Sequence, residues 1–181
     1  MIKKSMRILF VLISLNFTLI YSQSVDELVV VLDTQNQLFP IAISEVYNEE
    51  SGFPQHYLEE LRKVVVFDFD VNGMTDVIPN SQKVKDLVNT ESFEGEMNAQ
   101  AWKKLGVYYL IRLKVAQGKL SARLFSLTSG GAKVISDIPL TGDLNSDRRK
   151  IHQLTDSIYK SLFQKEGIAN TRILYTISNG P

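Results

Sequence analysis

The sequence has no cysteine, two histidines and one tryptophan among its 181 residues. Without cysteine the chain can form no disulfide bond and cannot be anchored by a lipid on an N-terminal cysteine. The two histidines, His56 and His152, lie far apart in the sequence, and neither belongs to a group with the ligand spacing of a zinc site. The folded part must therefore be stabilised by its own hydrophobic core.

Neither sign of charge is in excess, because the chain has 20 basic and 20 acidic residues. Proteins that bind DNA, RNA or an anionic membrane surface usually carry a basic patch, which attracts the phosphate groups. The composition therefore argues against these three classes of partner.

The first 24 residues have the pattern of a secretory signal peptide. Three basic residues precede an apolar run at Ile8–Ile20, and small residues follow within Tyr21–Ser24. An apolar run of about thirteen residues favours export over a permanent span, which takes about twenty; the alternative is an N-terminal core helix. We expect cleavage after Ser22 or Ser24, which would leave 17 basic and 20 acidic residues and a net charge of about −3.

The remaining chain of about 157 residues is long enough for one domain. Short segments rich in β-branched and other apolar residues predict strands at Glu27–Asp33, Phe39–Ser44, Met74–Ile78, Val107–Ala116, Leu120–Thr128 and Lys133–Leu140. Helical spacing and capping residues predict helices at Tyr57–Val71, Ala99–Leu105 and Asn145–Glu166. The expected N-caps are Asn98 for the second helix and Asn145 or Ser146 for the third, which Gly167 is expected to end. Trp102 is expected to anchor the second helix to the core. Loops are predicted at Asn48–Pro54 and at Ser81–Gly95, the second with at most one helical turn, and a β-rich stretch follows at Thr171–Ser178.

One of these segments fits two structures. In Tyr57–Val71 the apolar residues form a helical stripe, but Val65–Val71 also alternates as a half-buried strand would, with Asp68 and Asp70 on the polar face. Fifteen residues is long for a strand, and Asn72-Gly73 is a typical helix end, so the pattern favours a helix.

The last three strands are separated by short turns, so we expect an antiparallel meander with Val107–Ala116 as a central strand. The second turn, Ser129–Gly131, contains two glycines that could suggest a phosphate-binding loop. It lacks the lysine and the following helix of such a loop, which favours a hairpin turn.

The residue types that support catalysis are scarce and scattered. His152 is the one histidine on a well-defined element, and its position beside an apolar stripe is typical of a packed helix histidine that bonds to a neighbour. Asp68 and Asp70 are two residues apart, do not share a helical face, and are interpreted as solvated charges. The acidic run Glu91, Glu94 and Glu96 lacks the ligand order of a calcium loop. A small hydrolase would need His152 in an open cleft beside a nucleophile.

The strand predicted next to the cleavage site has two interpretations. It is an ordinary strand of the domain's own sheet, or it is an edge whose unpaired backbone groups a partner extends. From the residues alone the first interpretation is the simpler one.

Several segments resemble the TolB family of the Tol–Pal envelope system. The resemblance is strongest in residues 148–175, on the patterns of Arg149–Tyr159 and Thr171–Tyr175, where the family's amino-terminal domain leads into a β-propeller. Two earlier segments, Val64–Gly73 and Trp102–Leu110, resemble the family's first helix and its passage from a tryptophan to a strand.

This resemblance implies an α/β domain of three layers, with a mixed sheet of about five strands and flanking helices, similar to the anticodon-binding domains of some synthetases. It selects the helix for Tyr57–Val71. It also implies a signal peptide at 1–24, a TolB-type amino-terminal domain at 25–170, and at 171–181 the start of a linker or first strand that would lead to a propeller missing from this sequence. We expect a fragment, a truncated gene product or a free-standing domain.

The resemblance further implies a periplasmic adaptor, without enzymatic activity or cofactor, that supports outer-membrane integrity and envelope constriction during cell division. The implied partner is a TolA-like inner-membrane protein, bound by strand pairing, while a Pal-like lipoprotein would need the propeller. The implied partner-binding residues are Glu27, Leu28, Val29, Val30, Val31, Leu32 and Asp33. The alternative function is a free-standing ligand- or polymer-binding module of the same fold.

Overall fold

The computed structural model describes residues 37–171. Its strands are β1 (Phe39–Glu49), β2 (Thr75–Val77), β3 (Tyr109–Ala116), β4 (Lys119–Ser126) and β5 (Ala132–Pro139). Its helices are α1 (Gln55–Asp70), α2 (Gln82–Thr90), α3 (Ala99–Lys104) and α4 (Leu144–Phe163). The predicted signal peptide, the predicted strand Glu27–Asp33 and residues 172–181 lie outside the described residues.

The five strands form one mixed sheet in the order β2-β1-β3-β4-β5. Strand β1 is parallel to both β2 and β3, and β3, β4 and β5 form the predicted antiparallel meander. Strand β3 lies in the middle of the sheet and is buried on both faces, which explains its nearly continuous apolar sequence. The expected mixed sheet of five strands is confirmed.

Helices cover both faces of this sheet, so the domain has three layers. On the first face, α1 and α4 pack against alternate residues of β1, β3 and β4. On the second face, α2 and α3 cover a smaller cluster centred on the buried Trp102. The prediction that Trp102 anchors the short helix α3 is confirmed. None of the helices within residues 37–171 is long and apolar enough to cross a lipid bilayer.

The predicted helix over Tyr57–Val71 is confirmed as α1. Its core-facing side chains follow one helical stripe, which Leu58, Leu61, Val65 and Phe69 occupy, all of them fully buried. Val65–Val71 alternates in sequence because polar Asp68 lies on the buried side, where it contacts α4, while apolar Phe67 and Val71 are exposed.

Helix α2 is the largest error of the sequence-based prediction, which assigned Ser81–Gly95 to a loop with at most one helical turn. The helix has nine residues but buries only Val84 and Val88, one turn apart. Two core positions give too weak a helical period to recognise, although Leu87 packs beside them. Contact with the sheet, and not intrinsic propensity, stabilises so short a helix.

Strand β1 is longer than predicted and extends through Asn48 and Glu49, which were assigned to a loop. The pairing of β1 with β3 is interrupted by a register shift between Ile43 and Val46, and it resumes from Val46 to Glu49. The carbonyl groups of Ile43 and Ser44 accept hydrogen bonds from the Arg62 guanidinium of α1, at 2.9 Å each. A side chain from another element therefore satisfies the backbone at this bulge.

Helix α4 begins and ends earlier than predicted. Its N-cap is Asp143, whose carboxylate accepts a hydrogen bond from the backbone N–H of Ser146 at 3.0 Å, whereas Asn145 or Ser146 was the predicted cap. The helix ends at Phe163 because Gln164 adopts a left-handed conformation, with φ of 55°. Gly167, the predicted terminator, instead packs on Asp156, where an added Cβ would lie only 2.1 Å from a carboxylate oxygen.

A buried ion pair joins the middle strand to the second layer. Arg112 of β3 is bonded to the carboxylate of Glu91, and the two side chains are 1% and 7% exposed. The Arg112 guanidinium also donates to the carbonyl groups of Ser92 and Gly95, at 2.7 and 2.9 Å. The Glu91 carboxylate accepts from the indole N–H of Trp102 at 3.1 Å. The segment between α2 and α3 is thus organised around one buried charge.

We predict that Glu91→Gln lowers the free energy of unfolding by about 3 kcal/mol, because it leaves the Arg112 guanidinium buried without a counter-charge. Chemical denaturation measures this change. The matched control is Glu94→Gln, the same substitution three residues later, where the side chain is 71% exposed and bonded to Lys114. The control should change the stability by less than about 1 kcal/mol. Equal effects of the two substitutions would contradict this account of the ion pair.

Candidate partner-binding surface

The predicted partner-binding residues, Glu27–Asp33, lie outside the residues that the structure describes. The first described element after them is β1, which begins at Phe39.

Aromatic side chains hold the beginning of β1 in place. The ring of Phe39 lies 5.9 Å from that of Tyr109 on β3 and 5.5 Å from that of Phe163 at the end of α4, measured between centroids. Tyr159 extends the cluster, with its ring 5.0 Å from that of Phe163. These spacings are typical of favourable aromatic pairs. The point at which the chain enters the sheet is therefore rigidly attached to α4.

The surface beside this cluster is partly apolar. Leu38 is 44% exposed and Tyr108 is 40% exposed, at neighbouring strand starts. The backbone N–H of Tyr108 donates to the carbonyl of Pro40 at 2.8 Å, which keeps the two starts together. Apolar side chains and tyrosine are common in the buried centre of protein–protein contacts.

His152 and Asp68 form a pair between α4 and α1. The Nδ1 atom of His152 lies 2.8 Å from a carboxylate oxygen of Asp68. The prediction of a packed helix histidine that bonds to a neighbour is confirmed, but the interpretation of Asp68 as a solvated charge is wrong, since the residue is 5% exposed. The helix turns Asp68 inward while Asp70 remains exposed. Burial raises the pKa of the Asp68 carboxyl, against the opposing effect of His152.

Asp68 orients the imidazole of His152, as a carboxylate does for a catalytic histidine, but a nucleophile beside the imidazole is also needed for catalysis. Within residues 37–171 no hydroxyl group is hydrogen-bonded to the imidazole, and the His152 side chain is only 19% exposed. A nucleophile–base arrangement requires such a contact. The pair connects α4 to α1.

The acidic run between α2 and α3 is divided between two basic residues. Glu91 is bonded to Arg112, and Glu94 is bonded to Lys114 at 3.0 Å. Across the described part of the chain, no three His, Asp or Glu side chains converge in a way that could hold a metal ion.

Asp147 is a buried carboxylate whose role the sequence did not reveal, because its position in the first turn of α4 already has a helical explanation. One of its oxygens accepts hydrogen bonds from the Tyr57 hydroxyl at 2.8 Å and from the backbone N–H groups of Thr141 and Gly142 at 2.7 and 3.1 Å. The other lies 3.2 Å from the Lys150 ammonium. It thus connects α1, α4 and the loop after β5.

These contacts determine how Asp147 titrates. Burial raises the pKa of its carboxyl, but the hydrogen bonds from Tyr57 and Thr141 and the contact with Lys150 together outweigh burial, so the pKa lies below its ordinary value. Burial and the same carboxylate raise the pKa of the Tyr57 hydroxyl far above its usual range. Asp147 is therefore ionised in the folded protein and Tyr57 is neutral.

We predict that Asp147→Asn lowers the free energy of unfolding by about 2–3 kcal/mol at pH 7, since charge-assisted hydrogen bonds are lost inside the protein. A folded-state pKa below the unfolded value of about 3.9 stabilises the protein above that pH, and this contribution disappears as the pH falls through the folded-state pKa. Denaturation of both proteins at several pH values should show their difference narrowing below about pH 4. The exposed Asp70→Asn is the control, and a gap that does not narrow in acid would contradict the prediction.

The comparisons with known proteins agree with the fold. The TolB amino-terminal domain family matches residues 28–129. The chain is 33% identical over 159 residues to the protein TolB homolog of Protochlamydia amoebophila, covering 87% of this chain and 34% of that protein. It is 23% identical over 145 residues to the Tol-Pal system protein TolB of Ruegeria, covering 78% of this chain and 32% of that protein. The chain thus spans about a third of the length of these curated relatives.

A solved structure shows the same fold. The crystal structure of TolB from Acinetobacter baumannii superposes with a TM-score of 0.53 at 18% identity, over 72% of this chain and 30% of that one. The mixed sheet with helices on both faces is the arrangement that the family resemblance implied, and the family match covers more than half of the sequence. The chain belongs to the TolB family, and the described residues form its amino-terminal type of domain.

Proposed function

We propose that this chain is a periplasmic adaptor of the Tol–Pal type, which acts by binding other proteins and not by catalysis. The observation that carries the proposal is membership of the TolB family, together with the name of the Ruegeria relative as a Tol-Pal system protein. The signal-peptide pattern of residues 1–24 supports export to the periplasm. The adaptor would contribute to outer-membrane integrity and to envelope constriction during cell division.

The proposed contact is a strand formed by Glu27–Asp33, which pairs with a TolA-like inner-membrane protein. This segment has five successive apolar residues, of which the three central valines have high β propensity, and the family match begins at residue 28. Backbone pairing would supply affinity, and the alternating side chains would supply specificity. The aromatic cluster around Phe39 supports this mechanism, because a rigid attachment only a few residues further on limits the volume that the segment can search.

The proposed division of the chain follows the resemblance. Residues 1–24 are the signal peptide, residues 25–170 are the domain, and residues 171–181 lead towards a further domain. A Pal-like lipoprotein is a partner only of a protein that also contains a propeller. On this proposal no nucleic acid, cofactor or small-molecule substrate is involved.

Export generates the first prediction of this proposal. When the complete sequence is expressed in a bacterial host, we expect a periplasmic product that begins at Gln23 or Val25, because small residues precede both positions. Intact-mass measurement of the periplasmic fraction identifies the new end. Retention of Met1 on a cytoplasmic product would contradict export.

The second prediction concerns the strand. Deletion of Val25–Asp33 should abolish binding of the exported chain to the C-terminal domain of a TolA-like protein from the same organism, measured by calorimetric titration. Adjacent N–H groups of a strand point to opposite edges, so one of Val29→Pro and Val30→Pro should weaken binding by about tenfold or more.

The matched controls are Val29→Thr and Val30→Thr, which keep the N–H group and the β-branched shape and should weaken binding much less than the corresponding proline does. Unchanged binding after the deletion would refute strand pairing. Absence of binding by the unaltered chain would refute the choice of partner.

A further inference from the structure

The outer edge of β5 carries backbone groups that no described strand pairs. Strand β5 is the last strand in the sheet order, and within residues 37–171 it pairs only with β4. It has eight residues, of which most are exposed. The opposite edge is β2, which has only three residues and offers far less backbone to a partner.

The register identifies the outward-facing groups. The N–H of Ser126 donates to the carbonyl of Gly131, so these two residues form a hydrogen-bonded pair. In an antiparallel ladder such pairs alternate with pairs whose backbone groups point away from each other. With Phe125 opposite Ala132 and Arg123 opposite Val134, the N–H and C=O groups of Ala132 and Val134 face away from β4.

Within residues 37–171, only the first half of this edge is open to pairing. Asp137 has a left-handed backbone with φ of 65°, the pairing becomes irregular near it, and β5 ends at Pro139. Features of this kind protect edge strands from unwanted pairing. The half from Ala132 to Ile135 keeps a regular register, and within it the Val134 side chain is 51% exposed.

Within the described part of the chain, a lysine without a carboxylate partner lies on this half. The Lys133 ammonium donates to the Ser161 hydroxyl of α4 at 2.8 Å, and Ser157, Lys160 and Gln164 border the same shallow groove. Lys160 is bonded to Glu166, at 2.5 Å. Among the described residues, Lys133 has no carboxylate partner, so an acidic group beside it would find an unneutralised charge.

We propose that the outer edge of β5, at Ala132–Ile135, is a second docking site, which adds an extended acidic segment of a partner protein as a sixth strand. Carboxylates of the segment lie beside Lys133 on the α4 face, and apolar side chains of the segment cover Val134 on the other face. This site is independent of the strand Glu27–Asp33, so it stands whether or not that strand binds a TolA-like protein.

The test uses the exported chain and two capped eight-residue peptides, one alternating glutamate with valine and one alternating lysine with valine. Amide hydrogen exchange is measured for the residues of β5 from Ala132 to Ile138. The acidic peptide should slow exchange at Ala132 and Val134 by about tenfold or more, while Lys133 and Ile135, which already face β4, remain unchanged. The basic peptide should leave the exchange of Ala132 and Val134 unchanged, since Lys133 repels it.

Two variants test the contacts separately. Val134→Pro removes one outward N–H without disturbing the pairing with β4, because proline is tolerated where the N–H of an edge strand faces solvent. Lys133→Glu should reverse the preference between the two peptides. The matched control is Lys83→Glu on the exposed side of α2, which makes the same charge change on the second layer and should bind as the unaltered chain does.

Equal binding of both peptides, protection of amides elsewhere, or unchanged binding by Lys133→Glu would overturn the proposal. Protection of Ala132 and Val134 that grows with protein concentration in the absence of peptide would assign the edge to a second copy of the chain, and this result would also overturn it. Because the readout is confined to β5, failure here leaves the test of Glu27–Asp33 unaffected.

Discussion

The second layer of the domain depends on the buried ion pair between Glu91 and Arg112. Arg112 projects from the middle strand into a region without solvent, and a buried guanidinium is costly unless charge and hydrogen-bond partners surround it. The segment after α2 supplies a carboxylate and two carbonyl groups, and the same carboxylate receives the indole N–H of Trp102. One charge on a strand therefore specifies the path of the chain between two short helices that bury few apolar side chains of their own.

The two layers are stabilised in different ways. On the first face, α1 and α4 share a large apolar core, and polar contacts at Asp147 and at the His152–Asp68 pair determine how the helices meet. On the second face the core is smaller, and polar groups take a larger part. Helices therefore pack on both faces of the sheet, and within residues 37–171 the outer backbone groups of the edge strand β5 remain available to a partner. Such a scaffold suits the proposed binding by strand addition.

The sequence-based predictions were correct where one element contained its own signal. The stripe in α1, the three strands of the meander and the Asn98 cap of α3 all depend on residues within about four positions of each other, and all are confirmed. The predictions were wrong where the deciding contact came from elsewhere in the chain. Helix α2 has only two buried positions, and His152, the partner of the inward-facing Asp68, lies on another helix. Burial of Arg112 has no local signal, since an arginine in a strand is ordinarily exposed.

By itself, the sequence determined the order and type of most elements, the dependence on a hydrophobic core, and the family resemblance, because periodicity, turn residues and composition are local properties. Only the tertiary structure decided which charges are buried, since burial depends on residues distant in the sequence. It also decided which strand ends the sheet. The strand order depends on the pairing of β1 with both β2 and β3, and no local sequence pattern encodes these two pairings. The outward-facing groups of Ala132 and Val134 are a property of this register alone.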